Sequence, residues 1–239
     1  KPNCKISVMM DCWRYDVDRL PPSSETDIDL VRVCSYEEQL DEALEKCRGL
    51  KDLGYEVSLN VICTSYIDVD SFVKIREKLL TEDFLDFVCF ADSYGALTPD
   101  YVKKIMTLFR NMNPNVLIGF HSHDNMSLSM ANTITAIENG ADMVDGTYTG
   151  MGRGGGNLRL ELITLYLALN KDYNFELSDL FEYLDVYITD ESRKKRTKEA
   201  ICGMLNVHPY RLDQIKEKPI SEIFEELRVL DLDKKKRYP

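Results

Sequence analysis

At 239 residues with 44% hydrophobic side chains, the chain carries enough apolar material for one sizeable core, or for one domain and an extension. A net charge of -11 and a pI of about 4.9 argue against nucleic-acid binding, which rests on phosphate neutralisation. The one basic cluster, Lys234-Lys235-Lys236-Arg237, reads as a solvated tail. No apolar run reaches membrane-spanning length, no signal peptide is visible, and seven cysteines are scattered without a Cys-x-x-Cys pair. The expectation is a reducing, cytoplasmic compartment, with neither membrane segment, disulfide framework nor zinc ribbon.

The first strand is expected at Lys5-Ile6-Ser7-Val8-Met9-Met10, followed by a connection of little helical character through Pro21-Pro22-Ser23-Ser24. A second strand follows at Asp29–Cys34. Leu40, Ala43, Leu44, Cys47 and Leu50 then recur with helical period inside 36–53, and Gly54 stops the helix. Strands at 56–62 and 86–93 alternate with helices at 70–80 and about 98–110, the latter begun by Thr98-Pro99-Asp100. The apolar run Val116-Leu117-Ile118 opens a fifth strand, a helix covers 128–139, and Met143–Tyr148 reads as a sixth strand. A glycine loop and a helix over 158–169 close the series. Strand starts about 24 to 30 residues apart match the length of a βα unit.

This repeat predicts an α/β fold with a parallel sheet, either open and doubly wound or closed as a TIM (β/α)8-type barrel. Six strands are visible where a barrel needs eight. The chain begins Lys1-Pro2 without an initiator Met and enters a strand almost at once, so the first two βα units are expected upstream. Residues 1–172 are expected to form the partial barrel and 173–239 a helical C-terminal extension, with helices at 177–186 and 220–230 and His208-Pro209 in a turn. The extension's apolar helices suit a homo-oligomer.

Two of the three histidines lie in Gly119-Phe120-His121-Ser122-His123-Asp124-Asn125, at the end of the fifth strand. Alternation along a strand points residues i and i+2 to one face, so His121 and His123 project together. Two converging imidazoles form a pair of nitrogen ligands for a divalent metal, and equally a pair of hydrogen-bonded core histidines. Gly150-Met151-Gly152-Arg153-Gly154-Gly155-Gly156-Asn157 lets backbone approach a ligand, and equally makes a tight strand-to-helix connection.

Taken together, His121-Ser122-His123, Asn132 and Ala136 in the next helix, Gly140–Asp145, the glycine loop and Ala91-Asp92-Ser93-Tyr94-Gly95 resemble the DRE-TIM metallolyase, or HMGL-like, family over roughly residues 5–170. Within it the likeness is to the pyruvate aldolases. The resemblance implies a (β/α)8 barrel and a divalent metal, Mn²⁺ or Mg²⁺, at the strand C-termini. It maps the metal ligands onto His121, His123 and Asn157, and substrate-carboxylate binding onto Ser93, with Gly152, Arg153 and Gly154 lining the site. Arg153 contacts an anion or is simply solvated. Asp92 either supports a histidine or caps its loop. The family's Leu-Arg-Asp-Gly-type motif, which supplies a third ligand and a substrate-polarising Arg, does not occur in this sequence.

The activity so implied is a metal-dependent aldolase (lyase) acting on a 4-hydroxy-2-oxo acid. An acyl-CoA-dependent Claisen-type synthase of the isopropylmalate or homocitrate kind is the alternative within the family, and a non-catalytic barrel subunit is a third reading. A small 2-oxo acid is the expected partner. A partner dehydrogenase is compatible with the resemblance, but no residue of the chain points to one.

Overall fold

The computed structural model describes residues 4–171 and 173–232, so the basic cluster at 234–237 lies outside the described residues. The chain gathers into two compact units. One comprises the chain through Asp145 together with Gly152–Leu158, and the other Gly146–Met151 with the residues from Arg159 onward.

The first unit is built on six parallel strands, β1 (Ser7–Asp11), β2 (Leu30–Ser35), β3 (Glu56–Val61), β4 (Phe87–Asp92), β5 (Leu117–Ser122) and β6 (Met143–Val144), ordered as in the chain. Helices α1 (Leu40–Asp52), α2 (Val69–Leu79), α3 (Pro99–Phe109) and α4 (Ser129–Glu138) connect β2 to β6, while two 3-10 turns link β1 to β2. This is the TIM-barrel-type arrangement of successive βα units, in which every strand ends at the same edge of the sheet.

Strand alternation divides the sheet into two faces. Val33, Leu59, Val88, Phe90, Ile118 and Phe120 turn toward the helices and are buried with Leu50, Phe72, Ile75 and Phe109. Phe90 packs on Phe109 at 4.3 Å and on Phe72 at 5.9 Å between ring centroids. Each fully buried side chain of this kind contributes roughly 1.5–3 kcal/mol. The inner face carries small and polar side chains instead: Arg32, Ser58, Asn60, Cys89, Gly119 and His121.

Arg32 of β2 forms an ion pair with Asp145, which directly follows β6. Four strand spacings of about 4.8 Å separate those strands along a flat sheet, beyond the reach of the two side chains. The sheet is therefore curled about its inner face. Strand β6 is shorter than the run Met143–Tyr148 suggests. Only Gly119–Met143 and Phe120–Val144 pair, and the chain departs from the sheet at Gly146. A Cβ on Gly146 would stand 3.2 Å from the Leu160 Cα, so glycine is needed where the chain passes that helix start.

The second unit contains α5 (Leu160–Asn170), α6 (Leu177–Tyr187), α7 (Glu191–Met204), α8 (Pro209–Ile215) and α9 (Ile220–Leu232) around a core of Leu165, Phe181, Leu184, Ile201, Ile223 and Phe224. Glu161 is fully buried and accepts from Arg159 Nε at 3.0 Å and Thr149 N at 2.9 Å. His208 caps α8, its Nδ1 accepting from Tyr210 N at 3.2 Å. No helix among the described residues is long and apolar enough to cross a membrane.

Candidate active site

The site lies entirely within the first unit, at the C-terminal edge of its sheet. His121 is the penultimate residue of β5 and His123 the first beyond it. Their ring centroids are 5.1 Å apart and the planes meet at 80°. Burial, then the neighbouring His121, lowers the His123 pKa from its ordinary value, so its imidazole is neutral at pH 7. Neutrality is what a nitrogen donor requires.

Each histidine is held differently. The His123 main chain donates to the Asp92 carbonyl at 3.4 Å and forms an isolated antiparallel bridge with Asn157. The backbone of Gly156 and Arg153 lies near its ring and pulls the pKa the other way, more weakly than burial. His121 Nδ1 instead lies 3.1 Å from Asp145 Oδ2. Arg32 grips that carboxylate with both terminal nitrogens, Nη1 to Oδ1 at 2.9 Å and Nη2 to Oδ2 at 2.6 Å. Burial alone would raise the Asp145 pKa, but hydrogen bonds from His121 and Arg32 outweigh it and hold the carboxyl at about 2. Arg32 also donates to Cys89 Sγ at 3.5 Å. The Asn60 amide suits its surroundings with the nitrogen toward Ser58 and the oxygen toward Arg32.

The glycine loop lies against the exit of the histidine strand. Asp124 N donates to Gly156 O at 2.9 Å, and Gly155 N donates to Asn125 Oδ1 at 2.9 Å. A Cβ on Gly155 would meet the Asn125 Cα at 2.6 Å, and one on Gly152 would meet the Asn157 side chain at 2.5 Å. Gly154 and Gly156 have φ of +65° and +96°, a region that glycine enters without penalty. The loop thus brings Asn157 beside His123, while the Arg153 side chain is exposed.

Ser93 continues the inner face of β4, one position past the paired Asp92–Ser122, and its Oγ accepts from Cys63 N at 2.9 Å. Asp92 faces the other way. Fully buried, it accepts from Ala96 N at 2.9 Å and Leu97 N at 3.1 Å, so its side chain organises the β4–α3 loop rather than touching a histidine. Asn132 of α4 donates to Leu97 O at 2.9 Å and ties the same loop from below. Clefts of 760 and 540 Å³ lie elsewhere, along α2 and α3 and beneath Tyr66 and Tyr94, and neither histidine lines them.

Residues 5–186 match the family model described as HMGL-like. The chain belongs to the HMGL-like family. It is 31% identical to the 4-hydroxy-2-oxovalerate aldolase of Bacillus cereus (strain ATCC 10987 / NRS 248) over 182 residues, 76% of this chain and 52% of that protein. It is 33% identical to the enzyme of the same name from Carboxydothermus hydrogenoformans over 185 residues, 77% and 54% of the two chains. The chain therefore spans about half the length of the curated relatives it matches.

Among solved structures, the N-terminal domain of a candidate aldolase from Bacteroides vulgatus superposes with a TM-score of 0.62 at 25% identity, covering 94% of this chain and 73% of that one. The carboxyl transferase domain of Rhizobium etli pyruvate carboxylase also gives 0.62, at 18% identity over 71% of this chain and 31% of the other, a likeness of fold alone.

Of the two residues linked to His121, Arg32 went unread in the sequence, and Asp145 entered only as the last residue of Gly140–Asp145, without a role. A cation in the middle of the apolar run Leu30-Val31-Arg32-Val33 was the available signal for the first, because a buried charge needs a partner. The donors on this face are two imidazoles, with Asn157 joined to His123 by a main-chain bridge. Among the described residues, no three His, Cys, Asp or Glu side chains gather as a complete cation cage. Two imidazoles on one face fit a divalent cation that leaves positions open for substrate oxygens.

Proposed function

We propose that this chain carries the metal-binding histidines of a divalent-metal-dependent aldolase, one that cleaves or forms a carbon–carbon bond of a 4-hydroxy-2-oxo acid. The observation that carries this reading is the convergence of His121 and His123 on the inner face, with the Asn157 loop laid against His123. The names of the relatives support the reaction class.

His121, His123 and Asn157 would hold Mn²⁺ or Mg²⁺. When bound, the cation supplies Lewis-acid stabilisation of the negative charge that develops on a 2-oxo acid as the bond breaks. The residues of the chain bind and orient. Ser93 offers its hydroxyl toward the substrate carboxylate from the neighbouring strand. Gly152, Arg153 and Gly154 present backbone and one cation at the rim. Asp92 fixes the loop that carries Ser93, through the amides of Ala96 and Leu97. Seven free thiols, six of them buried, suit a reducing compartment such as the cytoplasm.

The test is exchange of the pyruvate methyl protons in D₂O, followed by NMR on the full-length gene product with Mg²⁺. His121→Ala and His123→Ala run beside it. Cation-dependent exchange that either substitution abolishes supports the aldolase. Cation binding without exchange would move the assignment to an acyl-CoA-dependent condensing enzyme, and loss of both to a non-catalytic barrel.

A further inference from the structure

We propose that Asp145 is a positioning residue for the His121 imidazole and that Arg32, reaching across the curled sheet, holds Asp145 to that task. Asp145 accepts the Nδ1 proton of His121 in a hydrogen bond, which leaves Nε2 unprotonated and able to bind a cation. The inference rests on the reading of His121 as a metal ligand.

The hydrogen-bond inventory sets the tautomer. Arg32 has donors only, and both of its terminal nitrogens point at the Asp145 carboxylate, at 2.9 and 2.6 Å. An ionised carboxylate has no proton to give. The 3.1 Å contact between Asp145 Oδ2 and His121 Nδ1 is therefore a hydrogen bond only if the proton sits on Nδ1. His123 is placed by other means, its main chain bridging to Asn157 of the glycine loop and donating to the Asp92 carbonyl. The two imidazoles are thus oriented independently, one by the glycine loop and one by a side-chain relay.

Stability alone is a weak reason for the relay. The side chains of Arg32 and Asp145 are only 14% and 22% exposed, and the desolvation of such a pair commonly offsets its attraction. The apolar core lies on the opposite face of the sheet. Arg32 is also fixed beyond its ion pair, by Cys89 Sγ and by the Asn60 amide, so the fork keeps one orientation. A carboxylate behind a ligand histidine is the usual way of fixing which ring nitrogen faces a metal.

The experiment reads the tautomer directly. In the metal-free 239-residue chain at pH 8, above the ordinary histidine pKa of about 6.5, long-range ¹H–¹⁵N correlation spectra identify the protonated ring nitrogen. The wild type is expected to carry Nδ1–H at His121. In Asp145→Asn the amide oxygen serves Arg32 and the amide nitrogen faces Nδ1, so His121 is expected to switch to Nε2–H while His123 is unchanged. Mn²⁺ affinity, read from the free-ion EPR signal, is expected to fall about 10–100-fold. Arg32→Lys keeps the charge, loses the fork, and is expected to give a tautomer mixture and a smaller loss of affinity. It also serves as the test if Asp145→Asn does not fold.

An unchanged tautomer in Asp145→Asn overturns the proposal, as does unchanged Mn²⁺ affinity. In Arg32→Lys, tautomer and affinity both equal to wild type do the same. Failure of the underlying reading looks different: His121→Ala would bind Mn²⁺ as tightly as wild type, whatever the tautomer of His121.

Discussion

Gly95 lies directly against Asn125. A Cβ placed on Gly95 would stand 2.6 Å from the Asn125 amide nitrogen and 2.9 Å from the His123 carbonyl oxygen. The β4–α3 loop and the exit of the histidine strand thus touch backbone to backbone, with Gly95 at φ +56°. Gly95→Ala is expected to cost about 1–3 kcal/mol, as overpacking against an unyielding neighbour does. Chemical denaturation should show it, together with a displaced His123 ring resonance. Wild-type stability in this variant would mean that the loop is free to move away.

Asp92 is expected to act on stability rather than on chemistry. Removing a buried carboxylate that accepts from two loop amides should cost about 1.5–3 kcal/mol for each charged hydrogen bond lost. Asp92→Asn keeps one acceptor and should lose about half as much as Asp92→Ala. Urea titration of the pair checks the order.

Gly155→Ala separates the glycine loop from the histidine strand. The new Cβ would meet main-chain atoms of Asp124 and Asn125 at 2.8 and 2.6 Å, neither of which yields cheaply. The loop is exposed, so the fold should survive. A fall of about tenfold or more in Mn²⁺ affinity is expected, the range seen when the support of a ligand is disturbed. Equilibrium dialysis against Mn²⁺ gives the number.

The ion pair beneath His121 makes a distinct prediction for stability. Asp145→Ala alone strands a buried guanidinium and should cost about 3–5 kcal/mol. Arg32→Met combined with Asp145→Leu removes both charges and should recover most of that loss. Thermal denaturation of the single and double variants decides whether the pair is retained for stability; a double variant as unstable as the single one would say that it is.

Burial pushes the Cys34 and Cys89 thiols up to about 12 and raises Cys47 as well. In the unfolded chain a thiol titrates near 8.5. The folded state holds these protons longer, so their contribution to stability is complete below that value and declines as pH rises from about 8.5 toward 12. Stability measured at pH 7 and pH 10 should fall accordingly. At pH 8 a disulfide reagent should modify the exposed Cys4 quickly and reach the buried thiols only after unfolding.

Local sequence determined much of this protein. The short apolar runs specify strands, Leu40–Leu50 an amphipathic helix, Thr98-Pro99 a helix start, and His121-Ser122-His123 two side chains on one face. Each depends on residues within a turn or a few strand positions of one another. Helix α7 escaped reading because Glu191–Glu199 is dominated by charges and offers little apolar period; tertiary burial of Ile201 and Cys202 stabilises it instead.

What tertiary structure alone decided is which polar groups meet. Asp92 finds its partners in the Ala96 and Leu97 amides rather than in a histidine. Arg32 and Asp145 lie 113 residues apart and meet only because the parallel sheet curls about its inner face. Propensity and pattern act over a few residues, whereas the partner of a buried charge is chosen by how strands distant in sequence are brought together.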